Sequence, residues 1–146
     1  MKRLPLNIAV LLVLFLLPAL AGAQDVQKYV NDGIDNSQKG RYDQALQDFN
    51  QALQLKPQDP ALLTYRGIVY YAKGLNDKAI QDFDAALKLD PKFARAYYQR
   101  GMVYDNQEKY NQAVEDLKTA KKLGYSVDPV FIEMVEKKVG KTGRKP

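Results

Sequence analysis

Three stretches of this chain repeat at a step of 34 residues. Gly33, Gly67 and Gly101 keep that step, as do Ala45, Ala79 and Ala113, then Phe49, Phe83 and Leu117, then Ala52, Ala86 and Ala120. Pro57 and Pro91 keep it as well. A fixed period of this length is the mark of one supersecondary unit copied and stacked. It confines the chain to a pile of like units, and its function to what such a pile can do.

The repeats run over residues 26–59, 60–93 and 94–127. Each reads as an apolar-periodic helix, a turn and a second such helix, so the class is all-α. The turns fall at Lys39-Gly40, Lys73-Gly74 and Gln107-Glu108; a Gly just past a helix supplies the left-handed conformation that ends it. Gly33, Gly67 and Gly101 lie mid-helix, where Gly costs about 1 kcal/mol against Ala. Their expected role is close approach, with Ala45, Ala79 and Ala113 of the second helices coming near. Pro57 and Pro91 stop the second helices. After the third repeat, Asp128 is placed to cap a helix that starts at Pro129. Phe131, Met134 and Val135 then form an i, i+3, i+4 apolar face expected to cover the end of the stack. The capping helix is placed at 128–139, and 140–146 read as a disordered basic tail.

Residues 1–23 carry a secretory signal by every local criterion: Met1-Lys2-Arg3, an apolar run from Ile8 to Leu17, and Ala21-Gly22-Ala23 before the cleavage point. The alternative is an uncleaved membrane anchor, the one route by which the chain would meet a membrane. The net charge of +5 sits at the ends. Without Lys2, Arg3, Lys137, Lys138, Lys141, Arg144 and Lys145, 15 basic residues face 17 acidic ones over 24–136, a charge of −2. A near-neutral body argues against a nucleic-acid-binding face. The chain has no Cys and no His, which excludes disulfides, thiol catalysis, a histidine base and His- or Cys-ligated zinc. No catalytic motif, metal site or cofactor fingerprint is present, so neither enzyme activity nor a small-molecule substrate is expected.

The order large residue, Gly, Tyr, Ala, Phe, Ala, Pro appears in repeat two as Leu63, Gly67, Tyr70, Ala79, Phe83, Ala86 and Pro91. Repeat one has Tyr29, Gly33, Asn36, Ala45, Phe49, Ala52 and Pro57; repeat three has Tyr97, Gly101, Tyr104, Ala113, Leu117 and Ala120, with Tyr125 for Pro. Residues 26–127 thus resemble the tetratricopeptide repeat (TPR). The resemblance implies a right-handed solenoid of three helix pairs closed by the C-terminal helix, the whole domain spanning 24–139. Asp32, Arg66 and Arg100 stand where the family has Leu, and Arg66 and Arg100 are expected to pack their stems between helices and pair with Asp82 and Asp116 of the series Asp48, Asp82, Asp116. The alternative is a buried anion site.

The resemblance also places a concave groove on the first helices. Its positions are Gln27, Val30, Asn31, Ile34 and Ser37 in repeat one; Ala61, Thr64, Tyr65, Ile68 and Tyr71 in repeat two; and Arg95, Tyr98, Gln99, Met102 and Asp105 in repeat three. Val30, Ile34, Tyr65, Ile68, Tyr71, Arg95, Tyr98, Gln99 and Met102 are the candidate partner-binding residues. Tyr and Met suit a peptide-binding face, although some rings in such a stack pack between helices instead. A chaperone-carboxylate clamp is disfavoured, because Val30, Ile34, Tyr65 and Gln99 occupy its positions and Arg95 alone would serve. The reading is a non-enzymatic interaction scaffold of the bacterial cell envelope, secreted or periplasmic, that holds a peptide or helix segment of a partner protein. The alternative is binding of an anionic polymer or nucleic acid through the basic tail.

Overall fold

The computed structural model describes residues 25–142. The signal segment 1–23 and residues 143–146 lie outside the described residues. Seven helices follow one another: α1 over 25–38, α2 Tyr42–Leu55, α3 Pro60–Ala72, α4 Asn76–Leu89, α5 Ala94–Asn106, α6 Tyr110–Lys122 and α7 Pro129–Thr142. There is no strand among the described residues, and no helix among them is long and apolar enough to cross a membrane. The pairs α1/α2, α3/α4 and α5/α6 coincide with the three repeats.

Local chemistry sets the boundaries. Gly40, Gly74 and Gly124 have φ of 71°, 76° and 90°, the left-handed region where a side chain is strained. In the third repeat Glu108 takes that role at φ 59°. Lys56 and Asp90, each just before a proline, leave the helix with φ near −135°, as the clash with the proline ring demands. Asp59 caps α3 by accepting from the N–H groups of Ala61 and Leu62 at 2.9 and 3.2 Å, with Pro60 in the first turn. Asp128 accepts from the N–H of Val130 at 2.8 Å and starts α7 in the same way.

The core runs along the stack. Val69 of α3 packs on Ala45 and Phe49 of α2, and Val103 of α5 packs on Ala79 and Phe83 of α4. Each first helix therefore closes over the second helix of the preceding repeat. A further cluster joins all three repeats through Ala52, Leu53, Leu62, Leu63, Ala86, Leu87 and Ala96, and the last seals Ala113, Leu117 and Ala120 beneath Ile132 and Val135 of α7.

Two expectations are corrected. The mid-helix glycines make room mainly for large side chains. A Cβ at Gly33 would lie 2.9 Å from the Phe49 ring, one at Gly67 2.6 Å from the Phe83 ring, and one at Gly101 3.1 Å from Leu117. At Gly101 the Ala113 carbonyl oxygen is also near, 3.3 Å from the position of a Cβ. The capping helix also differs. It runs on to Thr142, three residues beyond the expected end, and its buried face is Ile132 and Val135 with Phe131 beside them. Met134 is 53% exposed.

Candidate functional site

Gly33 opens a space on α1 into which the Phe49 ring of α2 fits. The next repeat builds on that ring. Tyr65 of α3 stacks on Phe49 with centroids 5.6 Å apart and planes 10° from parallel, and the guanidinium of Arg95 on α5 lies 4.9 Å from the Tyr65 centroid. Three helices thus contribute a column of ring, ring and cation. Beside it is a cavity of about 300 Å³ lined by Ile34, Ser37, Gln38, Phe49, Tyr65, Ile68, Val69 and Arg95. Its walls are mostly apolar with one cation. Arg95 makes its recorded contact with the Tyr65 face and has no carboxylate partner among the described residues. A ring face holds a guanidinium through its quadrupole and leaves the outward N–H groups to donate.

The structure brings together Ile34, Tyr65, Ile68 and Arg95 of the candidate residues. Phe49, which the sequence places among the repeat positions, and Val69 complete the pocket. The signal for Phe49 is its place beside Gly33: the ring edge meets that glycine and a face is left for the neighbouring repeat. Val30 packs on the cluster around Leu62 and Leu63. Tyr98 stacks on Tyr125 at 4.8 Å and joins the cluster under α7. Gln99 and Met102 are half-buried on α5, outside this pocket. Thr64, 1% exposed, donates its hydroxyl to the Pro60 carbonyl at 2.8 Å and offers nothing to a ligand. Asp105 accepts from Lys138 of α7 at 2.7 and 2.9 Å.

One repeat further along, the pocket is not repeated. Gln99 stands 34 residues after Tyr65 and cannot stack on Phe83 as Tyr65 does on Phe49. Tyr71 stands 34 residues after Ser37 and packs its ring against the Ala79, Phe83 and Val103 cluster, filling the space that Ser37 leaves open. Burial, with the Asp105 charge nearby, raises the Tyr71 hydroxyl above its ordinary pKa.

The arginines of the repeat close on the protein itself. Arg66 donates from Nε and Nη2 to Asp82 at 2.8 and 2.7 Å and from Nη1 to Asn50 at 2.7 Å. Arg100 does the same with Asp116 at 2.7 and 2.8 Å and with Asp84 at 2.5 Å. Each guanidinium spans the second helix of its own repeat and that of the repeat before. Its donors are directed inward to these partners, so the pairing with Asp82 and Asp116 holds and the arrangement is a clasp between repeats. The bond to Asp82 raises the pKa of Arg66. Burial raises the Asp116 carboxyl, and the hydrogen bonds from Arg100 pull it back.

Comparison with known proteins agrees with this architecture. A family model described as "TPR repeat" matches residues 37–74 and 67–108, and one described as "Tetratricopeptide repeat" matches 94–123. None of the curated proteins matches the chain. Among solved structures, the Sgt2 TPR domain of Aspergillus fumigatus is similar at 24% identity and TM-score 0.76, over 82% of each chain. The first TPR of Spaghetti (RPAP3), bound to the HSP90 peptide SRMEEVD, is similar at 21% identity and TM-score 0.73, over 82% of this chain and 94% of that one. The TPR2B domain of yeast Sti1, in its complex with pHsp70, is similar at 20% identity and TM-score 0.71, over 82% and 98%. At these identities the likeness is one of fold, while the family models together span residues 37 to 123 without a break, and the chain belongs to the tetratricopeptide-repeat family.

Proposed function

We propose that this protein is a non-enzymatic interaction module that holds a segment of a partner protein on its concave face, with the Phe49–Tyr65–Arg95 column as the anchor. The observation that carries the reading is the pocket itself. An apolar side chain of the ligand enters between Ile34, Tyr65 and Ile68, and a carboxylate near it meets the outward N–H groups of Arg95. Rigid rings bury large area at little entropic cost, and an arginine over a ring is pre-organised to donate to a carboxylate. Structural relatives solved with a bound peptide or partner support the general mode. The residues of this chain set its own specificity.

The signal in residues 1–23 puts the partner outside the cytoplasm, as an envelope or secreted protein. The test is capture from an envelope extract by the whole protein, by a Tyr65→Ser/Arg95→Ser variant and by a Lys78→Ser control on the outer side of the stack. The reading requires that the same protein be retained by wild type and control and lost from the groove variant, with unchanged helicity. Equal capture by all three would end it.

A further inference from the structure

The C-terminal end of the stack carries two exposed apolar side chains that packing does not explain. Val130 and Met134 of α7 are 59% and 53% exposed. Ile132 and Val135 hold α7 on the α6 cluster. At about 100° per residue, Val130, Met134, Lys137 and Lys141 fall within about 60° of one another and about 160° from that buried line. The side of α7 turned away from the protein is therefore one straight stripe, apolar in its first half and basic in its second. Lys137 and Lys141 are exposed. No acid stands on the stripe; Glu133 at its edge is paired with Lys137 at 2.7 Å.

Charge is uneven along the stack. Residues 118–142 hold six lysines against three carboxylates, whereas residues 25–55 at the other end hold three basic against five acidic residues. Within the basic end, a cleft of about 520 Å³ between α6 and α7 is lined in part by Pro129, Ile132, Lys118, Lys121 and Lys122. Lys118 pairs with Glu136 at 2.6 Å. Lys121, Lys122 and Lys141 have no carboxylate partner among the described residues.

We infer that the outer face of α7 docks on the surface of an anionic lipid bilayer, a route to the membrane that does not use residues 1–23. Charge and patterning together select this occupant. In a helix lying along the bilayer interface, apolar side chains enter at the acyl boundary and lysines reach the headgroups beside them. An anionic headgroup layer thus satisfies both halves of the stripe. A second copy does not: paired on itself about a two-fold axis, the stripe sets Lys141 against the apolar half of its mate and offers it no acid. A nucleic acid meets the lysines and leaves Val130 and Met134 without a partner. The same surface repels the acidic α1/α2 end, so the stack stands end-on. The inference goes beyond the groove reading and does not rest on it, because no residue lining the pocket around Tyr65 belongs to α7.

The chain has no cysteine, so Met134→Cys carries a single bimane fluorophore on the stripe and, in a separate protein, Lys39→Cys carries one at the far end. The exported protein is mixed with vesicles of phosphatidylglycerol and phosphatidylcholine, or of phosphatidylcholine alone, each with a nitroxide quencher on the acyl chains. The label at position 134 is expected to shift to the blue and be quenched on the anionic vesicles only, and the label at position 39 on neither. This readout reports the α7 face whether or not residues 1–23 are cleaved. A lysine beside an anionic surface strengthens binding about fivefold, so adding Lys137→Glu/Lys141→Glu should weaken it about 25-fold or more. Adding Val130→Ser should weaken it severalfold. Lys39→Glu/Arg41→Glu makes the same change in net charge at the far end and should leave the signal at position 134 as it was. All these side chains are exposed, so the fold is retained. No shift at position 134 on anionic vesicles, or an equal shift on neutral ones, overturns the proposal. Equal weakening by the two charge reversals reduces the effect to net charge and overturns it too. A shift without lipid that dilution removes would make the stripe a contact between copies, and a shift on duplex DNA with none on vesicles would make it a nucleic-acid contact. Either result contradicts the proposal.

Discussion

In repeat two the guanidinium of Arg66 reaches forward to Asp82 and back to Asn50. Thirty-four residues earlier the same place holds Asp32, which faces water and pairs with Lys28 of its own helix at 3.1 Å. The acid of that repeat, Asp48, accepts instead from Asn36 at 2.7 Å, and Asn36 stands where repeats two and three have Tyr70 and Tyr104. The difference follows from position in the stack. Among the described residues no second helix precedes repeat one, so an arginine there would find only one of the two partners that Arg66 and Arg100 have. A neutral amide serves Asp48 at lower desolvation cost. At the other end of the described residues no second helix follows α7. Glu136 pairs with Lys118 at 2.6 Å. The interior repeats are coupled by clasps and the terminal units are finished with polar groups, as a one-dimensional stack requires.

The largest effect that would break this comparison is at Arg100. Arg100→Ala leaves Asp116, 4% exposed, without its partner, and breaking a buried pair costs about 3 kcal/mol or more. Asp32→Ala at the equivalent place should cost less than about 0.5 kcal/mol. The loss should also depend on pH. Burial holds the Asp116 carboxyl above its ordinary value of 3.8, and without Arg100 it rises further. The folded state then binds the proton more tightly than the unfolded one. The variant should therefore recover stability as pH falls from 7 toward 4 and lose it as pH rises through the folded pKa. Urea denaturation at pH 7 and pH 5 measures this; equal losses at both pH values would place the cost outside the carboxylate.

The three mid-helix glycines sharpen the comparison next. Adding a methyl at Gly67 forces the fully buried Phe83 ring to move. Overpacking costs about 1–3 kcal/mol, partly offset by about 1 kcal/mol of helix propensity. Gly67→Ala should lose most, Gly33→Ala less, and Gly101→Ala least, in the order of the distances 2.6, 2.9 and 3.1 Å. Thermal melts of the three variants rank them. The reverse order would mean that helix propensity, not the facing side chain, decides.

Repeat three departs from its neighbours in the opposite sense. Glu108 is held at φ 59° where the other two turns have glycine, and the left-handed conformation costs a side-chain-bearing residue about 1 kcal/mol. Glu108→Gly should raise the melting temperature, whereas Gly74→Ala should lower it. The smallest effect belongs to Asp43, whose exposed carboxylate pairs with Lys73 across the first two repeats. Asp43→Ala should change stability by less than about 0.5 kcal/mol, and a larger loss would show that surface pairs share the coupling with the clasps.

Much of the fold was legible because the period states where each residue sits in its unit. The helix pairs, the turns at Gly40, Gly74 and Glu108, and the pairing of Arg66 with Asp82 and Arg100 with Asp116 all follow from it. The period does not state what a residue meets across the next helix. The period therefore pairs Gly33 with Ala45, whereas the Phe49 ring fills the space and forms a wall of the pocket. Nor does spacing within one helix choose between neighbouring apolar faces. Phe131, Met134 and Val135 share an i, i+3, i+4 pattern, but Ile132 and Val135 are the residues buried on the α6 cluster and Met134 faces outward. Tyr98 belongs with Tyr65 among the groove rings by the resemblance, but Tyr125, at the place where the first two repeats have proline, lies in the irregular segment after α6 and stacks on it beneath α7.

Site-specific photo-cross-linking tests most directly whether the concave face is where this protein works. A benzophenone side chain at Ser37, on the pocket rim, is compared with one at Gln112, beside the Arg100 clasp, in cells that make the protein. The account predicts that Ser37 yields one defined adduct with another protein, that Tyr65→Ser removes the adduct, and that Gln112 yields none. An adduct formed from Gln112 and not from Ser37 would place recognition on the other side of the stack and contradict the account.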